Sequence, residues 1–473
     1  TAARSAITVN ISWWLNMSSD MAASEEHYKK IKYEDASRGE ATMNTKKTPT
    51  TRLFLMMFLQ MFIWGAWLPM IFVYLPMLGY TPFEQSWILN AFPVAAIISV
   101  FFGNQFADRN FAAERFLSFS HLVGGIALIG ISMTTDFWTF LILMWVYCLF
   151  YLPTMSITNS IAFAHMRNPV SEFGPIRMGG TVGWIAAAWP FVFIFVDWEA
   201  VQAAEPEGII ELIGMALGSG LAGDALRDVI PWTFRIAGIA SLVLAVHSLA
   251  LPHTPAQKDE GRDKPAWLEA VKLLKHPFIM VLWIATLADA FVQHLQFNWT
   301  PVFLGSEQVG IPANWIMPAM SIGQVAEIVT MLVLGTVLRK LGWRTTMMVG
   351  ISAYIIRFGV YALLPEMTWL VVTINLLHGV CYAFFFASVY IFVDACFPAD
   401  IRSSAQGLFN VMIFGVGPLL AYSFGPWLIQ SVFTKNGVID FQSMFLIPIA
   451  ISIIATLLLA IGFKPPAKVS VKE

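Results

Sequence analysis

Twelve apolar stretches, each long enough to cross a lipid bilayer, constrain the fold of this chain more than any other feature. A membrane-spanning helix needs about 20 mostly apolar residues, and the bilayer offers no water to backbone groups. The sequence therefore predicts twelve transmembrane helices. They cover approximately residues 53–78, 86–106, 117–134, 138–163, 175–197, 231–252, 278–304, 315–337, 345–365, 368–396, 404–431 and 441–463.

The composition indicates an integral membrane protein. Of its 473 residues, 57% are hydrophobic and only 12% are charged, whereas soluble domains carry about 25% charged residues. The net charge of −2 provides no general attraction to nucleic acid. The three cysteines, Cys148, Cys381 and Cys396, lie in or beside apolar stretches, so we expect neither a disulfide framework nor a metal site.

Polar segments divide the chain into two sets of six spans. We expect the first polar segment to be a disordered cytoplasmic tail and the central one to be a cytoplasmic linker between two helical bundles. The predicted parts are a tail at 1–50, an N-terminal six-helix bundle at 51–252 with an insertion at 198–230, a linker at 253–276, a C-terminal six-helix bundle at 277–464 and a tail at 465–473.

The distribution of basic residues predicts the orientation in the membrane. With the amino terminus in the cytoplasm, 23 of the 28 Lys and Arg residues fall in cytoplasmic segments. Cytoplasmic loops of membrane proteins carry such an excess of positive charge. Both termini are therefore expected inside, and the acidic insertion at 198–230 outside, where we expect an amphipathic surface helix.

Two loops at equivalent places in the two halves have a similar composition. Gly103, Asp108 and Arg109 follow the second span, and the basic segment 335–344 follows the eighth. A glycine allows two helices to approach, and an aspartate can hold a cationic partner at a helix end. This predicts a conformational latch at Gly103, Asp108 and Arg109. A basic loop that only sets orientation is the alternative.

Arg177, Thr181 and Trp184 are spaced to share one face of the fifth predicted helix. A charge within a membrane span costs at least ~2.5 kcal/mol, so it is kept for a partner or a watery cavity. The face offers a fork of donors, a hydroxyl and an aromatic plane, which suits a planar heterocycle. The alternative is that Arg177 extends to the nearby membrane surface.

Gln324 and Glu327 are three residues apart on the eighth predicted helix. An amide and a carboxylate together suit the hydroxyl groups of a sugar, and the carboxylate could take up a proton. The alternative is a structural ion pair between Glu327 and Arg357 on a neighbouring helix.

The seventh and tenth spans carry further candidates for a cavity lining. Gln293 and Gln296 share a face, and Asp289 lies one turn earlier. Such amides also form hydrogen bonds between helices, which is the alternative. His378 and Tyr382 are one turn apart and could stack on a ligand, or belong to a packing stripe.

Other functional classes find no support in the sequence. We find no phosphate-binding loop of the kind that an ATP-driven pump requires, and no nucleophile elbow or metal-ligand spacing. The chain is therefore not expected to be an enzyme.

Several motifs, in this order along the chain, resemble the bacterial nucleoside:proton symporter family of the major facilitator superfamily. They are Pro175-Ile-Arg177-Met-Gly-Gly-Thr181-Val-Gly183, Leu251-Pro-His-Thr-Pro255, Gln324-Val-Ala-Glu327 and Ile401-Arg402-Ser-Ser-Ala-Gln406-Gly407.

The resemblance implies a major facilitator fold of two pseudo-symmetric six-helix bundles. It also implies import of nucleosides with protons by alternating access, as a monomer in the bacterial inner membrane, without a cofactor. A carrier for a sugar or another polar metabolite, and a receptor that binds a solute without moving it, remain alternatives.

The resemblance also implies roles for individual residues. Arg177 and Thr181 would contact the nucleobase. Trp184, His378 and Tyr382 stand at aromatic positions, with His378 a departure that bears on base preference. Gln324 and Glu327 would bind the ribose hydroxyls. Gln293 and Gln296 would contact the substrate.

Proton coupling is where the sequence departs most from the family pattern. Ala383 stands where the family has an acidic residue that serves coupling. Either Glu327 or Asp289 therefore carries the proton, or proton coupling is altered.

Overall fold

The computed structural model describes residues 48–99, 111–167, 169–256, 273–396 and 402–464. Most of both predicted tails, most of the linker, and the predicted latch of Gly103, Asp108 and Arg109 lie outside the described residues. The latch therefore stays a prediction.

The N-terminal half consists of helices that cross the molecule back and forth, with four short helices between the last two long ones. They are α1 Thr50–Met77, α2 Pro82–Leu89, α3 Ala91–Ile98, α4 Ala113–Ile131, α5 Phe137–His165, α6 Pro169–Ala188, α7 Phe191–Ile194, α8 Trp198–Ala203, α9 Ile209–Gly218, α10 Gly223–Val229 and α11 Trp232–Ser248.

The C-terminal half follows a 3₁₀ turn at Leu273–Lys275. Its tenth and eleventh predicted spans contain stretches of 3₁₀ or π-helix between α-helical parts. The elements are α12 Pro277–Leu304, α13 Ala313–Leu363, α14 Thr368–Thr373, a 3₁₀ turn Ile374–Leu376, α15 Leu377–Cys381, a π-helix Tyr382–Ala387, α16 Ser388–Cys396, α17 Arg402–Asn410, a π-helix Val411–Val416, α18 Gly417–Trp427, a π-helix Leu428–Val432, β1 Thr434–Lys435, β2 Val438–Ile439 and α19 Phe441–Gly462.

Helix lies at every predicted span. Within the described ranges, nine helices are long and apolar enough to cross a membrane. One of them, α13, is two spans joined at Gly342, whose φ of 73° only glycine adopts readily. The segment α2–α3 and helix α6 are not among the nine, so the number twelve stays a prediction.

Side-chain caps set the start of several spans. The Thr81 hydroxyl accepts a hydrogen bond from the Glu84 N–H, and the Glu84 carboxylate accepts one from the Thr81 N–H at 2.8 Å. Asp136 caps α5, and Asp440 caps α19 in a similar way. These caps satisfy backbone donors that have no partner inside the helix.

Helices α1 and α6 approach so closely that only glycine fits between them. A Cβ atom on Gly179 would lie 2.6 Å from the Phe54 carbonyl oxygen, and one on Gly183 would lie still closer to the Phe58 carbonyl oxygen. Small residues at such contacts let helix backbones meet inside a membrane. The glycines of the Arg177 motif therefore hold α6 against α1.

A buried hydrogen-bond network joins four spans of the N-terminal half. Gln60 on α1 donates to the Thr154 hydroxyl on α5 at 2.9 Å. His121 on α4 bonds the side-chain Oε1 of Gln60 at 2.9 Å and the Ser241 hydroxyl on α11 at 3.0 Å. Each polar group thus has a partner, which keeps the cost of burying it low.

The segment 197–230 forms α8, α9 and α10, where the sequence predicted one amphipathic helix. Pro206 and Gly208 separate the first two of these helices, and Gly220 lies between the last two, because both residue types interrupt helices. We call the side of the molecule that carries this segment the insertion side. The α5–α6 connection and residue 256 lie on the opposite side.

Candidate functional site

The three residues predicted to share one helix face all belong to α6. Arg177 and Thr181 are half-buried, and Trp184 is buried. A Cβ atom on Gly180 would lie 2.7 Å from Arg177 Nη1. The guanidinium therefore points away from the near end of α6, at Pro169, and towards the middle of the helix. If Arg177 extended to the nearby membrane surface, its guanidinium would point the other way, towards Pro169.

Five rings form a continuous series of contacts across the two halves, which we call the aromatic arc: Trp64, Trp184, Phe297, His378 and Tyr382. Trp64 meets Trp184 edge to face at a centroid distance of 5.2 Å, and Trp184 meets Phe297 at 6.1 Å. Phe297 then contacts His378 at 6.0 Å, and His378 contacts Tyr382 at 6.5 Å. The arc crosses from one half to the other between Trp184 and Phe297.

Two arc residues and two glutamines of α12 and α13 each have a buried polar atom with no hydrogen-bond partner among the described residues. These atoms are Trp64 Nε1, His378 Nδ1, Gln296 Oε1 and Gln324 Oε1. Most buried polar atoms in proteins are paired, so unpaired ones indicate places for a ligand or water. One donor, two acceptors and an imidazole nitrogen can together hold a polar heterocycle.

Two glycines bring the tenth span against the eighth. A Cβ atom on Gly323 would lie 2.7 Å from the His378 Cβ, and one on Gly379 would lie 2.6 Å from the Ala326 carbonyl oxygen. Because the backbones meet here, His378 is placed beside the segment of α13 that carries Gln324 and Glu327. The predicted residues of two separate spans thus belong to one site.

Two opposite charges from the two halves interact in this site. Arg177 on α6 acts electrostatically on half-buried Glu327, and Tyr382 lies within reach of both charges. Arg357 instead bonds Tyr361 and Asn375. Among the described residues no ion pair joins Arg357 to Glu327, so the alternative of a structural pair between these two is not what the structure contains.

The two amides predicted on α12 differ in their surroundings. Gln293 accepts a hydrogen bond from the Tyr354 hydroxyl, whereas the Gln296 carbonyl oxygen has no protein partner. Gln296 is therefore the freer of the two for a ligand. Asp289, one turn before Gln293, is 1% exposed.

Hydrogen bonds join the two halves on the insertion side. Asn314 Nδ2 donates to the carbonyl oxygens of Val192 and Ala216 at 3.3 and 3.4 Å, and Trp315 Nε1 donates to Leu217 O at 2.7 Å. On the other flank, Asn90, at the start of α3, donates to the Ser423 hydroxyl of α18 at 2.9 Å. These contacts close the insertion side of the site. Gly220 packs there as well, since its Cβ would lie 2.8 Å from the Ala313 nitrogen.

Comparison with known proteins decides the family. The model of the family described as Nucleoside H+ symporter matches residues 46–226 and 221–468. The chain belongs to the nucleoside H+ symporter family. It is 29% identical to the putative nucleoside transporter YegT of Escherichia coli (strain K12) over 81% of this chain and 85% of that protein. It is 28% identical to the xanthosine permease of the same organism, over 87% of this chain and 95% of that protein.

A solved structure shares the fold. The crystal structure of nucleoside transporter NupG superposes with a TM-score of 0.71 at 24% identity, over 88% of this chain and 99% of that chain. The predicted all-α major facilitator fold is thereby confirmed. As a family member the chain is a multi-pass membrane protein of the secondary transporter class and not an enzyme. It moves nucleosides with protons by alternating access.

Sequence reasoning assigned no role to two members of the aromatic arc. Trp64 and Phe297 lie in strongly apolar spans, where an aromatic residue by itself points to packing. The signal that was present is the indole N–H of Trp64, a donor that needs a partner within a span. Trp64 packs against Trp184, and the neighbouring Gly65 leaves room for the Trp184 ring. A Cβ atom on Gly65 would lie 3.1 Å from that ring.

In this symporter the insertion-side contacts should control which side of the site is open. Asn314→Ala removes its bonds across the two halves, and a side-chain hydrogen bond contributes about 0.5–1.5 kcal/mol net. We expect about a two- to tenfold larger population with the insertion side open. Spin labels at exposed Met133 and Val438, one on each half, should then report a longer distance.

The matched control is Thr368→Ala. Thr368 donates to Val309 O at 2.9 Å on the same side but within one half. Its removal should leave the label distance distribution unchanged. An unchanged distribution in Asn314→Ala would show that these bonds do not hold the insertion side closed.

Proposed function

We propose that a nucleoside binds between α6 of the N-terminal half and α12, α13 and α15 of the C-terminal half. Arg177 and Thr181 contact the base, which stacks against members of the aromatic arc. Gln324 and Glu327 accept from the ribose hydroxyls, and Gln296 adds a further contact. Gln293 and His378, together with Tyr382 and Trp184, complete the lining.

The observations that carry this proposal are the unpaired buried polar atoms of Trp64, His378, Gln296 and Gln324, and the ring contacts of the aromatic arc. A nucleoside offers what these atoms lack, since it combines a flat ring with amide edges and hydroxyl donors. An aromatic ring in contact with a base face contributes about 1–3 kcal/mol. A sugar without a base would leave the arc and Arg177 unused.

We further propose that the termini and the linker are cytoplasmic and that the coupling ion is a proton. The excess of Lys and Arg on that side supports this orientation. The insertion side is then the outer side, and the closed contacts there correspond to a carrier whose site is shut to the outside. Residues from both halves of one chain line the site, which supports a monomer as the working unit.

The test is uptake of labelled uridine into proteoliposomes with an acid exterior. Accumulation should collapse when a protonophore is added, and unlabelled nucleosides should compete whereas sugars should not. No gradient-driven uptake, or competition by sugars alone, would overturn the assignment of the solute.

A binding variant links this activity to the site. Gln324→Ala should raise KM for uridine about tenfold, because about 1–1.5 kcal/mol of hydrogen bonding to the ribose is lost. The control is Gln202→Ala, which removes an exposed amide on α8. An equal KM in both variants would exclude a contact between Gln324 and the substrate.

A further inference from the structure

Asp289 is an acid buried in the C-terminal half, and it has no hydrogen-bond partner among the described residues. Its side chain is 1% exposed, and neither carboxylate oxygen finds a protein donor. An unpaired carboxylate anion in such a place is penalised by several kcal/mol or more, so the neutral acid is favoured. The environment of Asp289 therefore favours the form that holds a proton.

Glu327 differs from Asp289 on both counts. It is half-buried, and Arg177 of the other half acts on it as a counter-charge. An anion opposite a cation is stabilised in its charged form. Burial and Arg177 therefore act on the Glu327 anion in opposite senses, whereas burial alone acts on the Asp289 anion.

A cation with an unused donor lies in the same half. Arg357 is 1% exposed, and its Nη1 has no hydrogen-bond partner while Nε and Nη2 are bonded. Tyr354 and Cys381 both lie within electrostatic reach of Asp289 and of Arg357. Asp289 and Arg357 therefore act on the same two side chains.

Asp289 is also connected to the substrate site through one helical turn. Tyr354 donates to the carbonyl of Gln293, which follows Asp289 by four residues on α12. The other titratable group on this part of α12 is His294, which faces Tyr422 of α18 and bonds the Ala290 carbonyl. Gly417 of α18 lies against Ala290 and leaves no room for a further side chain.

We propose that Asp289 is the site that binds the coupling proton. An O–H bond forms on Asp289 when the site is open to the acid compartment and breaks when it opens to the other. The inference rests on the proposed function, because a coupling proton presupposes symport. It places the proton site in the interior of the C-terminal half, separate from the proposed nucleoside contacts.

The test separates coupling from nucleoside movement. Asp289→Asn keeps the size of the side chain and mimics the neutral acid. Exchange of labelled for unlabelled uridine, which needs no gradient, should continue in the variant. Accumulation driven by an acid exterior should fall at least tenfold, to the level that diffusion equilibrium gives. The pH dependence of the Kd for uridine should also become flat.

A second variant applies if Asp289→Asn does not fold. Asp289→Glu keeps an acid but moves it by one methylene, so gradient-driven uptake should persist with a shifted pH midpoint. An unchanged midpoint, or gradient-driven accumulation in Asp289→Asn equal to that of the wild type, would overturn the proposal. Absence of uridine uptake by the wild type would instead overturn the proposed function on which the inference rests.

Discussion

Replacing Arg177 by alanine should lower kcat/KM for uridine uptake about 100-fold. Charge-assisted hydrogen bonds contribute about 1.5–3 kcal/mol each, and Arg177 is placed to make such bonds to the base. The substitution also leaves Glu327 without its counter-charge from the other half. Arg177→Lys should recover only part of the activity, because lysine lacks the planar fork.

The measurement is initial-rate uptake of labelled uridine in proteoliposomes. Arg235→Ala is a matched control, because Arg235 also lies within a span but stacks over Trp232 at 4.9 Å, on the insertion side of the N-terminal half. Its uptake should stay within about twofold of the wild type. Similar losses in Arg177→Ala and Arg235→Ala would point to a general need for charge in the N-terminal half.

The interaction between the two charges can be measured directly. Glu327→Gln should also reduce uptake, and the double variant with Arg177→Ala should lose less than the sum of the two single losses. Residues that interact show such non-additivity, whereas distant residues add. Strict additivity would mean that the two charges act on the substrate independently.

Replacing Gly183 by alanine should prevent normal folding of the protein. The new Cβ would overlap the Phe58 carbonyl on α1, and a backbone atom cannot rotate away as a side chain can. Forcing atoms into a packed contact costs about 1–3 kcal/mol when neighbours can shift, and more when they cannot. We expect a large loss of monodisperse protein in detergent and a lower Tm of the remainder.

Gly174→Ala on the same helix is the control. No heavy atom lies within 4 Å of a Cβ built on Gly174, so the helix should tolerate the change or gain slightly from it. If Gly183→Ala and Gly174→Ala give the same yield and Tm, close contact between α1 and α6 is not required for folding.

Local geometry explains which parts of the site could be predicted. Arg177, Thr181 and Trp184 share a face because residues four and seven apart coincide on any α-helix. That prediction needs no knowledge of neighbouring helices, and the structure places all three residues on α6. Their roles towards the nucleoside stay predictions, as do those of the residues on the other spans.

Contacts between distant residues could not be predicted in this way. Trp184 and Phe297 are far apart in the chain, and each could have faced lipid, another helix or the site. The partner of Glu327 was equally open, since both Arg177 and Arg357 lie in apolar spans. The packing of α6 against α13 brings Arg177 within electrostatic reach of Glu327. Arg357 instead donates hydrogen bonds to Asn375 and Tyr361.

The sequence by itself determined that this is a helical membrane protein, because burying a backbone in lipid allows almost no other solution. Its motifs also pointed correctly to the symporter family. The tertiary structure alone decided which faces meet, that glycines seat α6 on α1, and that Asp289 is without a partner. These features depend on how the helices pack. Packing brings together residues that are far apart in the sequence, and nothing in the sequence spacing indicates that they will be in contact.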